Sequence, residues 1–263
     1  MATAAPNQGL PLFYKTLEPL NSTQHSKMKV RAIPATSEMV NTHAVPLTVD
    51  EFMLVQRHYP IVFSVGDNSI PMALMGLNEG VNVFFGEDGR PVDQQAYIPA
   101  FIRRYPFLLA RLRPESDELS LCFDPTSNGV GDFEDGEPLF DGDQPSEATK
   151  AILAFCEQFE AAGQRTAAFM EDLKKSDLLM EGEVAIQPEG FEQPFVYRGF
   201  RMVDEEKLRD LRGDELRKMN QNGMLPILYA HLFSLSQMRD VFARQMVQGK
   251  APAQVPQAAP ADA

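Results

Sequence analysis

Cysteine is nearly missing from this chain: Cys122 and Cys156 are the only two in 263 residues. Two thiols cannot build a disulfide framework, and neither sits in a Cys-x-x-Cys pair. Cys156 falls on the apolar side of a predicted helix and reads as a small buried hydrophobe, so a reducing compartment fits. Histidine is almost as scarce. His25, His43, His58 and His231 show no His-x-Glu-x-x-His, His-x-x-x-His or His-x-Asp spacing, so a zinc or facial-triad iron site has no local signature. Positive charge is short too: 24 Lys and Arg face 37 Asp and Glu, for a net charge of −13. Nucleic acids and anionic membrane surfaces need clustered cations, so both are excluded as expected partners. Long hydrophobic runs are also wanting. The most apolar window, Met224 to Leu235, carries His231 and falls short of the roughly 20 residues a bilayer span takes. Met1 to Leu10 has neither a basic n-region nor an apolar h-region, so no signal peptide is expected.

The motifs of common chemistries are missing as well. There is no Gly-x-x-x-x-Gly-Lys-Ser/Thr and no Gly-x-Gly-x-x-Gly, which leaves a nucleotide site without a phosphate cradle. Ser64, Ser69 and Ser234 lack the Gly-x-Ser-x-Gly elbow, and neither cysteine has a basic neighbour in sequence. The acidic loop from Asp124 to Gln144 fails the EF-hand pattern in both registers, starting at Asp132 or at Asp141, and reads as a solvated loop. No catalytic residue, metal or cofactor is assigned.

What is there is an ordinary core, 44% hydrophobic and 23% charged, and one phrase stated twice. Arg57-His-Tyr-Pro-Ile-Val-Phe63 recurs as Arg103-Arg-Tyr-Pro-Phe-Leu-Leu109. Proline keeps the preceding residue out of the α region, so each phrase reads as a helix end feeding a buried strand. Thr48-Val-Asp-Glu51 is a capping box for the first helix. Ile61–Val65, Ala73–Leu77 and Val81–Phe85, split by tight turns, predict an antiparallel meander. Lys27 to Ile33 reads as a first short strand, and strands from Phe107 and Leu119 would complete the sheet. Ser146 caps a long helix in which Gly163 marks a break. A strand over Phe195–Val203 and helices capped by Asp204 and ended by Asn222-Gly223 follow. A single amphipathic last helix carries the stripe Leu225, Leu228, Leu232, Leu235, Phe242 and Met246. The expectation is one α+β domain over residues 21–248, its mostly antiparallel sheet in the N-terminal half and its helices concentrated in the C-terminal half. An extended arm, 1–20, precedes it and a disordered Ala/Pro/Gln tail, 249–263, follows.

One group of side chains stands out in so acidic a chain: Arg57, His58, Tyr59, Arg103, Arg104, Tyr105, Tyr197, Arg198 and Arg201. Arginine's planar fork donates two hydrogen bonds at once to a carboxylate, so these residues could form a local anion site for a peptide or small acid. The plainer reading pairs them with the protein's own Asp and Glu. His231, off the leucine stripe, reads as a polar-face or satisfied core histidine beside the reading as a ligand or base. The candidate ligand- or partner-binding residues are therefore His43, Arg57, Tyr59, Arg103, Arg104, Tyr105, Arg198, Arg201 and His231.

Several phrases together resemble a known family. They are Pro19-Leu-Asn21 with His25, His43-Ala-Val-Pro-Leu47, Tyr59-Pro-Ile-Val-Phe63 and Tyr97-Ile-Pro-Ala-Phe-Ile-Arg-Arg-Tyr-Pro-Phe107. Leu121-Cys-Phe-Asp124, Pro138-Leu-Phe-Asp141, Gly199-Phe-Arg-Met-Val-Asp-Glu205 and Leu228-Tyr-Ala-His-Leu-Phe-Ser-Leu235 continue the series. The chain resembles the SapC family of bacterial proteins, named for an S-layer-associated locus. The resemblance carries over no catalytic residues. Members are often labelled peptide transporter permeases, a label at odds with the lack of a membrane-length apolar run. Family genes often sit beside outer-membrane receptors and flavin-dependent tryptophan halogenases. With no catalytic constellation in the sequence, the first expectation is a non-catalytic cytoplasmic binding or accessory protein with a protein or peptide partner, and the resemblance implies that it serves S-layer or other surface-protein biogenesis. The competing expectation is an enzyme or substrate-delivery partner acting on a small carboxylate or peptide, with Arg103, Arg104 and His231 near its site. A closed pocket lined by those residues would favour the enzyme, and an open apolar patch the accessory protein.

Overall fold

Tyr-Pro punctuates the chain twice, and both times a helix gives way to a buried strand. The structure is a computed structural model and describes residues 9–32, 36–112 and 118–250. Ile33, the start of the arm and the tail from residue 251 lie outside the described residues. In chain order come β1 (Glu18–Pro19), α1 (Ser22–His25), β2 (Lys29–Val30), α2 (Ser37–Val40) and β3 (Ala44–Pro46). The capping box forms: Glu51 Oε2 accepts from the Thr48 N–H and hydroxyl at 3.1 and 2.9 Å. It opens a short 3-10 turn, Val49–Glu51, that runs into α3 (Phe52–Val55). Past Tyr59-Pro60, β4 (Ile61–Phe63) is buried at every residue. After β5 (Pro71–Leu74), α4 (Ala100–Arg104) stops where Tyr105 turns extended, φ −60 and ψ 135. β6 (Phe107–Arg111) follows directly.

The rest of the chain is β7 (Leu119–Phe123), β8 (Val130–Gly131), β9 (Glu137–Pro138), β10 (Phe140–Asp141), β11 (Gln144–Pro145) and α5 (Glu147–Lys175). Then come β12 (Leu179–Ile186), β13 (Phe195–Val203), α6 (Glu205–Arg209), α7 (Gly213–Gln221), α8 (Met224–Ser234) and α9 (Gln237–Val247). The α+β class holds, and each pairing of these strands is antiparallel. The main sheet has the order β12-β13-β4-β5-β3, a second the order β1-β7-β6, and a third the order β8-β2-β9.

The sheet departs from the expected meander in two places. The run Val81–Phe85 is not a strand, and β3 takes its place beside β5. Buried Asn82 explains this: its Oδ1 accepts from the Phe84 and Phe85 N–H groups, and its amide donates to Met39 O and Thr42 O. A side chain that satisfies backbone groups competes with a ladder for them. β6 and β7 do not complete the main sheet either. Both sides of the β4-β5 pair are occupied, by β13 and β3, so β6 and β7 pair with β1 instead.

Two helix expectations are also corrected. Gly163 does not break α5, which runs 29 residues from its Ser146 cap; a mid-helix glycine costs about 1 kcal/mol against alanine but does not end a helix by itself. The last helix is two helices, parted at Leu235-Ser236. There the Ser234 and Ser236 hydroxyls donate to His231 O and Phe233 O at 2.6 and 2.8 Å, local bonds that loosen the helical ladder.

The main sheet is covered on both faces, which is why β4 shows no alternation of burial. On one face Ile61 and Phe63 pack with Phe52, Leu173 and Leu228; on the other Val62 packs with Phe195, Phe200, Met238 and Phe242. A third cluster joins Phe107, Phe123 and Leu139 to Cys156 of α5, so the long helix spans two of the three cores. The arm is anchored over its described part: Phe13 and Tyr14 are buried, and Asp124 Oδ2 accepts from the Lys15 N–H at 2.7 Å.

Candidate functional site

Seven of the nine candidate residues fall in three separate places, and Arg57 and His43 lie apart from them. The first ties the two Tyr-Pro joints to each other. Tyr59, buried, donates its hydroxyl to Tyr97 O at 2.7 Å. Tyr97 in turn donates to Glu51 Oε1 at 3.0 Å and accepts from Arg103 Nη2 at 2.9 Å. Glu51 Oε1 also takes the Ala100 N–H at the start of α4, 2.6 Å away. Arg103 gives its Nε–H to Ile98 O and lies over the Tyr97 and Phe155 rings at 5.2 and 5.1 Å. Burial, with the Glu51 carboxylate adding to it, pushes the Tyr97 hydroxyl up to about 12. The exposed arginine of this joint is thus held by the chain itself.

Arg104 points the other way, into the core. It donates through Nη1 to Glu160 Oε1 at 3.3 Å and lies 4.1 Å above the Phe159 ring. Among the described residues its buried Nε has no hydrogen-bond partner, an expensive condition for a guanidinium, which the flanking rings offset through cation–π attraction. Nearby, burial raises the Cys156 thiol to about 11 and the half-buried Tyr105 hydroxyl to about 12. A thiol held that high is inert rather than nucleophilic.

The second place is the seam of β4, β13 and α8, where His231 is fully buried. Its Nε2 accepts the Val203 N–H at 3.0 Å, so the proton sits on Nδ1 and is donated to Ile61 O at 2.8 Å. Ser234, one turn on, accepts the Ile61 N–H at 2.9 Å. Burial draws the His231 pKa down to about 4, against the opposing pull of the Ile61 carbonyl. A neutral histidine with both nitrogens engaged is a cross-link, the satisfied core histidine of the sequence reading.

The third place is β13. Arg198 pairs with Glu183 across the hairpin at 2.6 Å, and Arg201 Nη2 reaches Leu179 O at 3.5 Å. Tyr197, on the opposite face, packs edge-on against Phe242; its hydroxyl has no partner among the described residues and is held up to about 12 by burial. Arg57 is exposed at the end of α3, and His43, beside β3, is half-buried, its pKa lowered by that burial. Two open grooves, of about 370 and 460 Å³, are lined by other residues than these nine candidates. Among the described residues there is no cluster of three or more metal-ligating side chains, and no helix is long and apolar enough to cross a membrane.

Sequence reasoning passed over the solvent side of α8. That helix, Met-Leu-Pro-Ile-Leu-Tyr-Ala-His-Leu-Phe-Ser, has no Asp, Glu, Lys or Arg in its 11 residues. Leu228 and His231 bury one side, while Pro226, Tyr229 and Phe233 share the other, and Phe233 is 65% exposed. The Tyr229 and Phe233 rings lie 5.9 Å apart. α3 packs against α8 and exposes Met53 and Leu54, at 53% and 47%. The signal was present in the sequence: a helix apolar all round either is buried all round or shows an apolar face to solvent.

The fold and its surfaces define a mixed α+β protein in which Arg103, Arg104, Arg198 and His231 tie the chain's own elements together and the most apolar helix, α8, keeps one side open. Its family follows from a direct match: the SapC family model covers residues 20–241, and the chain belongs to the SapC family. No curated protein and no solved structure matches the chain.

Proposed function

We propose that the protein is a non-catalytic binding or accessory protein that works in the cytoplasm, in S-layer or other surface-protein biogenesis. The observation that carries this reading is the open apolar side of α8, Tyr229 and Phe233, with Met53 and Leu54 exposed on the adjoining α3. Grouped apolar side chains at a surface favour burial against a partner, and aromatic side chains are the usual anchors of such contacts. Membership of the SapC family, named for an S-layer-associated locus, is what supports the choice of pathway. The competing reading, an enzyme or delivery partner for a small carboxylate or peptide, needs Arg103, Arg104 and His231 around one cavity. Each of the three is engaged instead by groups of its own chain.

The experiment is recovery of the tagged protein from its host, with gentle elution and mass spectrometry, beside a Phe233→Glu variant of unchanged unfolding midpoint. A stoichiometric protein partner held by the wild type and lost from the variant supports the reading. A small molecule carried by a protein without a partner, or a partner held equally by the variant, contradicts it.

A further inference from the structure

β12 is an outer strand of the main sheet, with β13 on one side and, among the described residues, no strand on the other. The Asp204 N–H bonds Leu178 O at 2.8 Å, which fixes the phase of the β12-β13 ladder. Antiparallel partners alternate between bonded and non-bonded pairs. Met180, Gly182 and Val184 therefore spend their backbone groups on β13, while Leu179, Glu181, Glu183 and Ala185 turn theirs outward. The pairing offset between Gly182 and Val184 is taken up on β13, where Gly199 has φ 90, so β12 keeps a regular alternation. Met180, Glu181, Glu183 and Ala185 are exposed. Among the described residues the only group recorded at this outer row is Arg201 Nη2, 3.5 Å from Leu179 O, at the limit of hydrogen-bond length.

Charge says what such an edge accepts. Glu181 and Glu183 share one face of β12, and the groove of about 370 Å³ at its start is walled by Asp177, Asp204, Glu206 and Asp210. Lys207 holds Asp177 at 3.0 Å and Arg198 holds Glu183 at 2.6 Å, while Glu181, Glu206 and Asp210 have no ion pair among the described residues. A second copy of β12 added edge to edge would set these carboxylates against their like, which is destabilising across a strand pair. A strand carrying Lys or Arg meets complementary charge instead.

We propose that the outer edge of β12 takes an extended, basic peptide segment of a partner protein by strand addition. Its main chain bonds the outward groups of Leu179, Glu181, Glu183 and Ala185, as in other strand-addition complexes. Alternate Lys or Arg side chains face Glu181 and Glu183, and a further basic residue enters the acidic groove. The inference is independent of α8 and would stand if that helix met only solvent.

The test uses the full chain, a peptide alternating lysine and valine, and its glutamate–valine counterpart, with affinity read by fluorescence anisotropy and location by amide hydrogen exchange. The lysine peptide is expected to bind and to protect the amides of residues 179, 181, 183 and 185, and the glutamate peptide to do neither. The doubly reversed Glu181→Lys, Glu183→Lys variant is expected to bind the lysine peptide at least about tenfold more weakly. Glu181→Pro removes one outward N–H without touching the ladder to β13 and is expected to weaken binding as well; should it fail to fold, the charge-reversed variant carries the test. Failure of the lysine peptide to bind, binding that leaves those four amides exchanging freely, or affinity unchanged in the reversed variant would overturn the proposal. So would protection of the same amides by concentration-dependent dimerisation, which would make a second copy the occupant.

Discussion

Truncating His231 is expected to open the seam where β4, β13 and α8 meet. His231→Ala leaves the Val203 N–H and the Ile61 carbonyl buried without their partner, at about 1–3 kcal/mol each, and adds a cavity. The total, on the order of 3–5 kcal/mol, is a large part of the roughly 5–15 kcal/mol by which domains are stable. Protonation probes the same seam. Burial holds the folded His231 pKa at about 4, below the roughly 6.5 of an unfolded histidine. As pH falls, the unfolded chain therefore takes up its proton first. The stability this group contributes is complete above about pH 6.5, declines below it, and is fully lost once pH passes the folded value. Between about pH 7.5 and pH 5 the loss from this one side chain is about 2 kcal/mol. Urea unfolding of the wild type and of His231→Gln at both pH values isolates the effect, because every other titrating group is common to the two. The glutamine variant is expected to lose about 2 kcal/mol less over that interval. Identical pH dependence in the two proteins, or an alanine variant as stable as the wild type, would refute the assignment of His231 as a neutral core cross-link.

Two glycines are expected to respond in opposite directions. A Cβ at Gly182 would run into the Phe200 ring, so Gly182→Ala should lower the unfolding free energy by about 1–3 kcal/mol. A Cβ at Gly163 meets open space inside α5, so Gly163→Ala should raise it by about 1 kcal/mol; thermal denaturation of the pair checks both signs. Cys122 and Cys156 are buried and should react with a thiol reagent only after unfolding. Prompt labelling of Cys156 in the folded protein would contradict a thiol held up at about 11.

Local signals were legible in the sequence and long-range ones were not. The Tyr-Pro joints, the Thr48–Glu51 box and the Ser146 and Asp204 caps each rest on a few neighbouring residues, and each formed as read. The strand over Phe195–Val203 also formed at its predicted bounds. Which strand pairs with which depends on residues far apart in sequence. β13 lies beside β4 and β3 beside β5 because Asn82 takes up the backbone groups of the third apolar run and His231 bridges Ile61 to Val203. No periodicity announces such bonds. The arginines were visible as residue types, but Arg103 and Arg104, adjacent in sequence, diverge to a surface joint and to the core. The apolar window of α8 is plain in the sequence, but its leucine stripe marks the core side, and which side stays open depends on the elements that pack around the helix.

We propose that the protein acts by binding a partner through the open side of α8. Hydrogen exchange on the purified complex, compared residue by residue with the free protein, tests it most directly. Protection gained over Met224–Ser234 and Phe52–Val55, with the Arg103–Tyr105 joint unchanged, is the predicted result. Protection confined to the Arg103–Tyr105 joint, with α8 exchanging as in the free protein, would contradict it.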